Sequence, residues 1–124
     1  MAGNREDDVT IRRIAEEKRL SGAVMGGGLV WLAGQVADDP TLDAEGQTAD
    51  ILAQIDALLV EAGTDKRALL SVTIVLADIQ DAPAMNRAWD AWLDPAAKPA
   101  RMTIEAALVD PRWKVEITGV AKAP

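Results

Sequence analysis

Six polar side chains alternate with apolar ones in the last quarter of the chain. They are Arg101, Thr103 and Glu105, then Lys114, Glu116 and Thr118. Met102, Ile104 and Leu108 hold the other side of the first set, Val115 and Ile117 the other side of the second. A period of two is that of a strand. Two strands separated by the turn residues Asp110-Pro111 read as a C-terminal hairpin. Neighbouring strands lie roughly 5 Å apart, so this hairpin would bring a guanidinium, a hydroxyl and a carboxylate to one surface.

Composition narrows the chemistry further. The chain has no Cys and no His, which removes thiolate catalysis, disulfides, thiolate metal sites and the commonest general base and metal ligand. Ser21 has no His to activate it as a nucleophile. What remains is carboxylate, guanidinium, amine, hydroxyl, backbone and water. A net charge of −7 argues against nucleic acid as a partner, because phosphate contacts need a cationic footprint. No apolar run is long enough to span a bilayer, and residues 1–9 lack the apolar core of a signal peptide. The expectation is a cytoplasmic protein with no membrane partner.

The elements that must hold those side chains follow from punctuation and periodicity. The 124 residues suit one domain, 1–124. Residues 1–9 read as a frayed terminus, and strands are expected at 10–15 and 21–25. Gly26-Gly27-Gly28 is a turn signal, and no GxxxxGK[ST] motif makes it a phosphate loop. Residues 29–36 and 69–77 are apolar strand-length runs, expected to be buried on both faces. Ile51, Leu52, Ile55, Leu58 and Leu59 form one helical stripe over 45–62, stopped by Gly63. The other face of that helix, with Gln47, Asp50, Gln54 and Glu61, is expected to be solvated. A second helix spans 82–93 with Pro83 in its first turn and Met85, Ala88, Trp89 and Trp92 on one stripe.

The element order reads β-β-α-β-α-β-β, about six strands in all. It predicts an α+β fold with one mixed sheet and both helices on one face. The first helix joins two strands as a crossover, so those two should run parallel. Helices on one face leave the other face of an apolar sheet uncovered, and self-association is the simplest way to cover it.

Several segments together resemble the Rid proteins, reactive intermediate deaminases also called the YjgF family. They are Gly28-Leu29-Val30-Trp31-Leu32-Ala33-Gly34-Gln35-Val36, Asp50-Ile51-Leu52-Ala53-Gln54-Ile55 and Leu58-Leu59-Val60-Glu61-Ala62-Gly63. Met85-Asn86, Pro99-Ala100-Arg101 and Val115-Glu116-Ile117 complete the set, in order along nearly the whole chain. The resemblance implies a chorismate-mutase-like fold, a homotrimer with clefts between subunits, and hydrolysis of 2-imino acids, tautomers of reactive 2-enamino acids, to 2-keto acids and ammonia. It implies no cofactor and no metal.

By the same resemblance, Arg101 grips the substrate carboxylate and Glu116 positions or activates the attacking water, the two on same-facing strand positions. Gly34 lies beside the ligand, and Asn86 is a structural helix residue. Thr103 replaces a Cys, and Leu20 a Tyr, of many deaminase members. These two departures mark a divergent subgroup, with Leu-Ser-Gly-Ala-Val and Trp-Asp-Ala-Trp segments, and put the pocket wall in question. Trp31 is open between pocket and trimer interior. Glu105 is expected to pair with a nearby cation, Trp89 and Trp92 to pack the second helix on the sheet, and Arg112 and Trp113 to lie at the surface. A non-catalytic trimer that binds or senses a small carboxylate or keto acid is the competing expectation. RNA cleavage, which the resemblance also suggests for some family members, is disfavoured by the charge and the missing His.

Overall fold

A computed structural model describes residues 10–124, so the terminus expected at 1–9 lies outside the described residues. Six strands and two helices follow in order. They are β1 (Arg12–Glu16), β2 (Ser21–Gly26), β3 (Leu29–Gln35), α1 (Ala44–Glu61), β4 (Leu69–Leu76), α2 (Ala82–Trp92), β5 (Ala100–Glu105) and β6 (Val115–Lys122). Three strands precede the first helix, at the segments 10–15, 21–25 and 29–36 where strands are expected, although the order β-β-α-β-α-β-β writes only two of them.

Local chemistry accounts for most boundaries. Gly27 and Gly28, at φ 60° and 78°, form the two-residue turn between β2 and β3, where both central residues must be left-handed. Asp43 caps α1 by accepting from the Gly46 N–H at 2.8 Å, satisfying an orphan amide of the first turn. The helix ends where Gly63 turns left-handed at φ 87°. Ile51, Leu52, Ile55, Leu58 and Leu59 are all buried, each contributing about 1.5–3 kcal/mol by leaving water.

The solvated face expected of α1 holds only in part. Gln47 is fully buried. Its Nε2 donates to the carbonyls of Pro40, Leu42 and Arg112, and its Oε1 accepts from the Lys114 N–H. Gln54 donates to the Val36 carbonyl and Asp50 accepts from the Asp38 N–H. These side chains tie the segments at 36–42 and 112–114 to the helix, a use that helical periodicity does not reveal.

The sheet order is β1-β2-β3-β6-β4-β5. β6 lies antiparallel to both β3 and β4, so β3 and β4 run parallel, as the crossover required. β5 pairs parallel with β4 at the edge. The C-terminal hairpin is therefore not formed, because β4 stands between β5 and β6. The β4–α2–β5 crossover sets β5 outside β4, and the chain then returns across β4 to fill the place beside β3.

α1 and α2 pack on one face over Val30, Leu32, Val72, Ile74, Leu76, Val115 and Ile117. The other face carries Val24, Trp31, Val120, Thr73, Thr118, Val75, Glu116, Met102 and Ile104 by register. No described element covers it. Trp31, Met102 and Ile104 are 50%, 55% and 40% exposed. β3 and β4 are thus buried on one face only, not on both. Their apolar content reflects an open face that is itself largely apolar.

Candidate active site

Arg101 is the second residue of β5 and points to the helix side. Its register partner is Val72 and, one strand further, Gly119, a row that faces the core. Its Nη1 donates to Asn86 Oδ1 at 2.9 Å and approaches Met85 Sδ at 3.8 Å. Its guanidinium carbon lies 5.2 Å from the centre of the Trp89 ring, within cation–π range. The Nε and Nη2 donors bond to no described residue, and the side chain remains exposed.

Thr103 follows on the same face, in register with Ile74 and Ile117. Its Oγ1 is buried and has no hydrogen-bond partner. A buried hydroxyl without a partner is costly, so such an atom commonly marks a place where another group arrives. Glu105 completes the row. Its Oε1 accepts from the Ile79 N–H at 2.9 Å, so it is a structural residue whose partner is a backbone amide rather than a cation.

Glu116 stands elsewhere. It aligns with Val75 and, across β4, with Ile104, on the open face. β3 carries an extra residue between Leu32 and Gln35. That bulge is stapled by Gln35 Nε2 to the Ala33 carbonyl at 3.0 Å and by Thr118 Oγ1 to the Leu32 carbonyl at 2.7 Å. Gly34 sits in the bulge, and the Glu116 carboxylate lies over it. A Cβ built on Gly34 would fall 2.1 Å from Glu116 Oε2. Gly34 is therefore glycine because a carboxylate occupies the space of its side chain.

Arg101 and Glu116 consequently face opposite sides of the sheet, against the same-facing placement that the hairpin implied. The intervening β4 leaves their strand parities unrelated. Within one copy the sheet therefore stands between the Arg101 guanidinium and the Glu116 carboxylate. Leu20, just before β2, is half exposed, and Trp31 lies on the open face in register with Val24 and Val120. The structure thus gathers Gly34 with Glu116, and separately Arg101 with Thr103. A groove of about 580 Å³ between α1 and α2 is lined by Leu52, Ala88, Trp92 and the ion-paired Glu45 and Arg87, and none of the candidate residues borders it.

Two features were missed by sequence reasoning. The contacts of Asn86 and Trp89 with Arg101 have a faint signal, since the two lie three apart on one helix face. Trp89 also packs in the core as expected, while Trp92 reaches α1 by donating to Asp56 at 2.9 Å. Arg112 is at the surface, paired with Asp110 at 2.9 Å, and Trp113 is half-buried. No helix among the described residues is long and apolar enough to cross a membrane.

One mixed six-stranded sheet with two helices on one face is the chorismate-mutase-like α+β fold. A YjgF-family protein of Neisseria meningitidis superposes with a TM-score of 0.91 at 42% identity, over 94% of this chain and 98% of that one. The RutC family protein YoaB of Escherichia coli is 45% identical over 113 residues, 91% of this chain and 98% of the relative. A RutC family protein of Haemophilus influenzae is 42% identical over 114 residues, again 91% and 98%. The family profile described as Endoribonuclease L-PSP matches residues 10–123. The chain belongs to this family, the YjgF, RutC or Rid proteins.

Proposed function

We propose that the protein hydrolyses 2-imino acids, with their 2-enamino tautomers, to 2-keto acids and ammonia, in clefts between the copies of a cytoplasmic homotrimer. The observation that supports this reading is the placement of the candidate side chains on two faces of the sheet. A guanidinium with two unused donors and an orphan hydroxyl stand on one side of the sheet. A carboxylate stands on the other, on a face that no described element covers. β5 is an edge strand, so a copy whose open face meets that edge would bring its Glu116 to this Arg101 and Thr103 and complete one site from two halves.

The iminium carbon is already electrophilic, so no cofactor is needed. Arg101 fixes the substrate carboxylate through a planar, permanently charged fork. Glu116 of a neighbouring copy holds a water near C2 and takes its proton. The water oxygen bonds to C2 as Glu116 takes one proton, and that proton passes to nitrogen. The C–N bond then breaks as the C2 hydroxyl gives its remaining proton to Glu116, which leaves the 2-keto acid and ammonia, the last proton departing with the ammonia as ammonium. Thr103 and the backbone around Gly34 complete the cradle, and Leu20 and Trp31 furnish apolar wall. Positioning and proton transfer are each worth orders of magnitude in rate.

The test is turnover of imines generated in place by an amino-acid oxidase or dehydratase. Wild type should accelerate keto-acid release, and Arg101→Ala should not. Equal rates would remove the reading. Leu at position 20 and Thr at position 103 favour a second reading, a non-catalytic trimer that binds a small keto acid, for which binding without turnover is the signature. The family's endoribonuclease description finds no support in a chain of net charge −7 without His.

A further inference from the structure

We propose that Asn86 and Trp89 of α2 are positioning residues for Arg101, occupying Nη1 and one face of its guanidinium so that the Nε–Nη2 edge is the fork presented to a substrate carboxylate. The inference rests on the carboxylate-binding role proposed above and assigns the orientation of that site. An unanchored arginine samples many rotamers, and holding it costs side-chain entropy at the moment of binding. Here the ordering is built into the fold. Asn86 Oδ1 takes one Nη1 proton at 2.9 Å, Met85 Sδ stands 3.8 Å from the same nitrogen, and the indole of Trp89 lies 5.2 Å below the guanidinium carbon. None of these three is ionised, so no described residue neutralises the positive charge.

The seat is itself rigid. Trp89 is 5% exposed and packs against Trp92, their centroids 5.4 Å apart. Trp92 is fixed from two sides, through its Nε1 to Asp56 Oδ2 at 2.9 Å and through its carbonyl, which accepts from Lys66 Nζ. At the surface of the same helix Arg87 pairs with Glu45 of α1 at 2.6 Å. With α2 clamped to α1, Asn86 and Trp89 stand at set positions. The only guanidinium edge without a partner among the described residues is Nε–Nη2, whose two parallel N–H bonds match a carboxylate.

The experiment has one arm that needs no ligand. Side-chain nitrogen NMR of the wild type should show an Arg101 guanidinium in slow rotation, with its neighbouring methylene protons shifted by the Trp89 ring. Asn86→Leu should speed that rotation, and Trp89→Phe, chosen to keep the core filled, should reduce the ring shift. In the second arm 2-oxobutanoate is titrated. Asn86→Leu should bind it about tenfold more weakly, the order of one hydrogen bond to a charged group. Asn86→Asp should weaken it further, because a second carboxylate then claims the guanidinium, and this loss should appear in KM more than in kcat. A freely rotating wild-type guanidinium overturns the seat. Unchanged affinity in both Asn86 variants overturns its role in binding, even where wild type turns imines over. A wild type with a fixed guanidinium but no affinity for the 2-keto acid overturns the fork together with the carboxylate site of the proposed function.

Discussion

Replacing Gly34 by Ala should disable the site while leaving the fold nearly intact. The added Cβ would stand 2.1 Å from Glu116 Oε2, 3.0 Å from its Cδ and 3.3 Å from its Cγ. Unstrained contacts begin near 3.5 Å, so the carboxylate must retreat by more than about 1 Å. The atoms it meets are the far end of a flexible chain on an open face, and Glu116 can swing aside. An off-rotamer side chain costs about 0.5–1.5 kcal/mol, and Gly→Ala returns about 0.4–1 kcal/mol through the unfolded state. The net change should stay within about 1 kcal/mol, a few degrees in Tm at this chain length. Displacing a catalytic group by about 1 Å costs roughly a hundredfold in rate. Imine turnover should therefore fall about a hundredfold, with 2-oxobutanoate affinity changed only slightly because Arg101 is untouched. Glu116→Gln should match it in turnover. Wild-type turnover in Gly34→Ala would refute a role for Glu116 acting from above the bulge. A collapse of the melting transition would refute the view that the glycine serves the carboxylate rather than the fold.

Three other outcomes follow from the same structure. Gln47→Leu strands three carbonyls and one N–H at a fully buried position, and urea unfolding should show a loss of about 3–5 kcal/mol. Trp31→Glu places a charge in the apolar open face, and sedimentation should show smaller species with turnover lost although Arg101 and Glu116 remain; unchanged assembly would contradict that use of the face. Asp110 and Asp39 are held below the usual carboxylate range by side-chain hydrogen bonds from Arg112 and Thr41. A lowered native pKa stabilises above the unfolded value and is lost as pH falls through the native one. Their NMR titration midpoints should therefore lie below the ordinary value of about 3.9, and an ordinary midpoint at Asp110 would show that the Arg112 contact does not persist in solution.

The two helices, the glycine turn and the stop at Gly63 were legible because each is set by residues within one or two turns of chain. The uncovered face was legible too, from apolar runs that two helices cannot cover twice. The hairpin of β5 and β6 was not, since nearness in sequence does not imply pairing. Strand order depends on which gap the returning chain fills, and no local signal encodes that. The error carried into the site, because alternation fixes faces only within one strand. Parity on β5 says nothing of parity on β6 until the strand between them is placed. Gln47 failed for a related reason: its partners lie in two loops that the helical period does not address.

The division of the site between copies is tested most directly by mixing two inactive variants. Arg101→Ala keeps Glu116, and Glu116→Ala keeps Arg101. Unfolded together in equal amounts and refolded, the two should assemble at random, and about one site in four should receive an intact residue from each side. The account predicts that turnover returns to roughly a quarter of wild type, while each variant refolded alone stays inactive. If Arg101 and Glu116 served one site within a single copy, no mixed site would be complete. A mixture as inactive as its components would contradict the account.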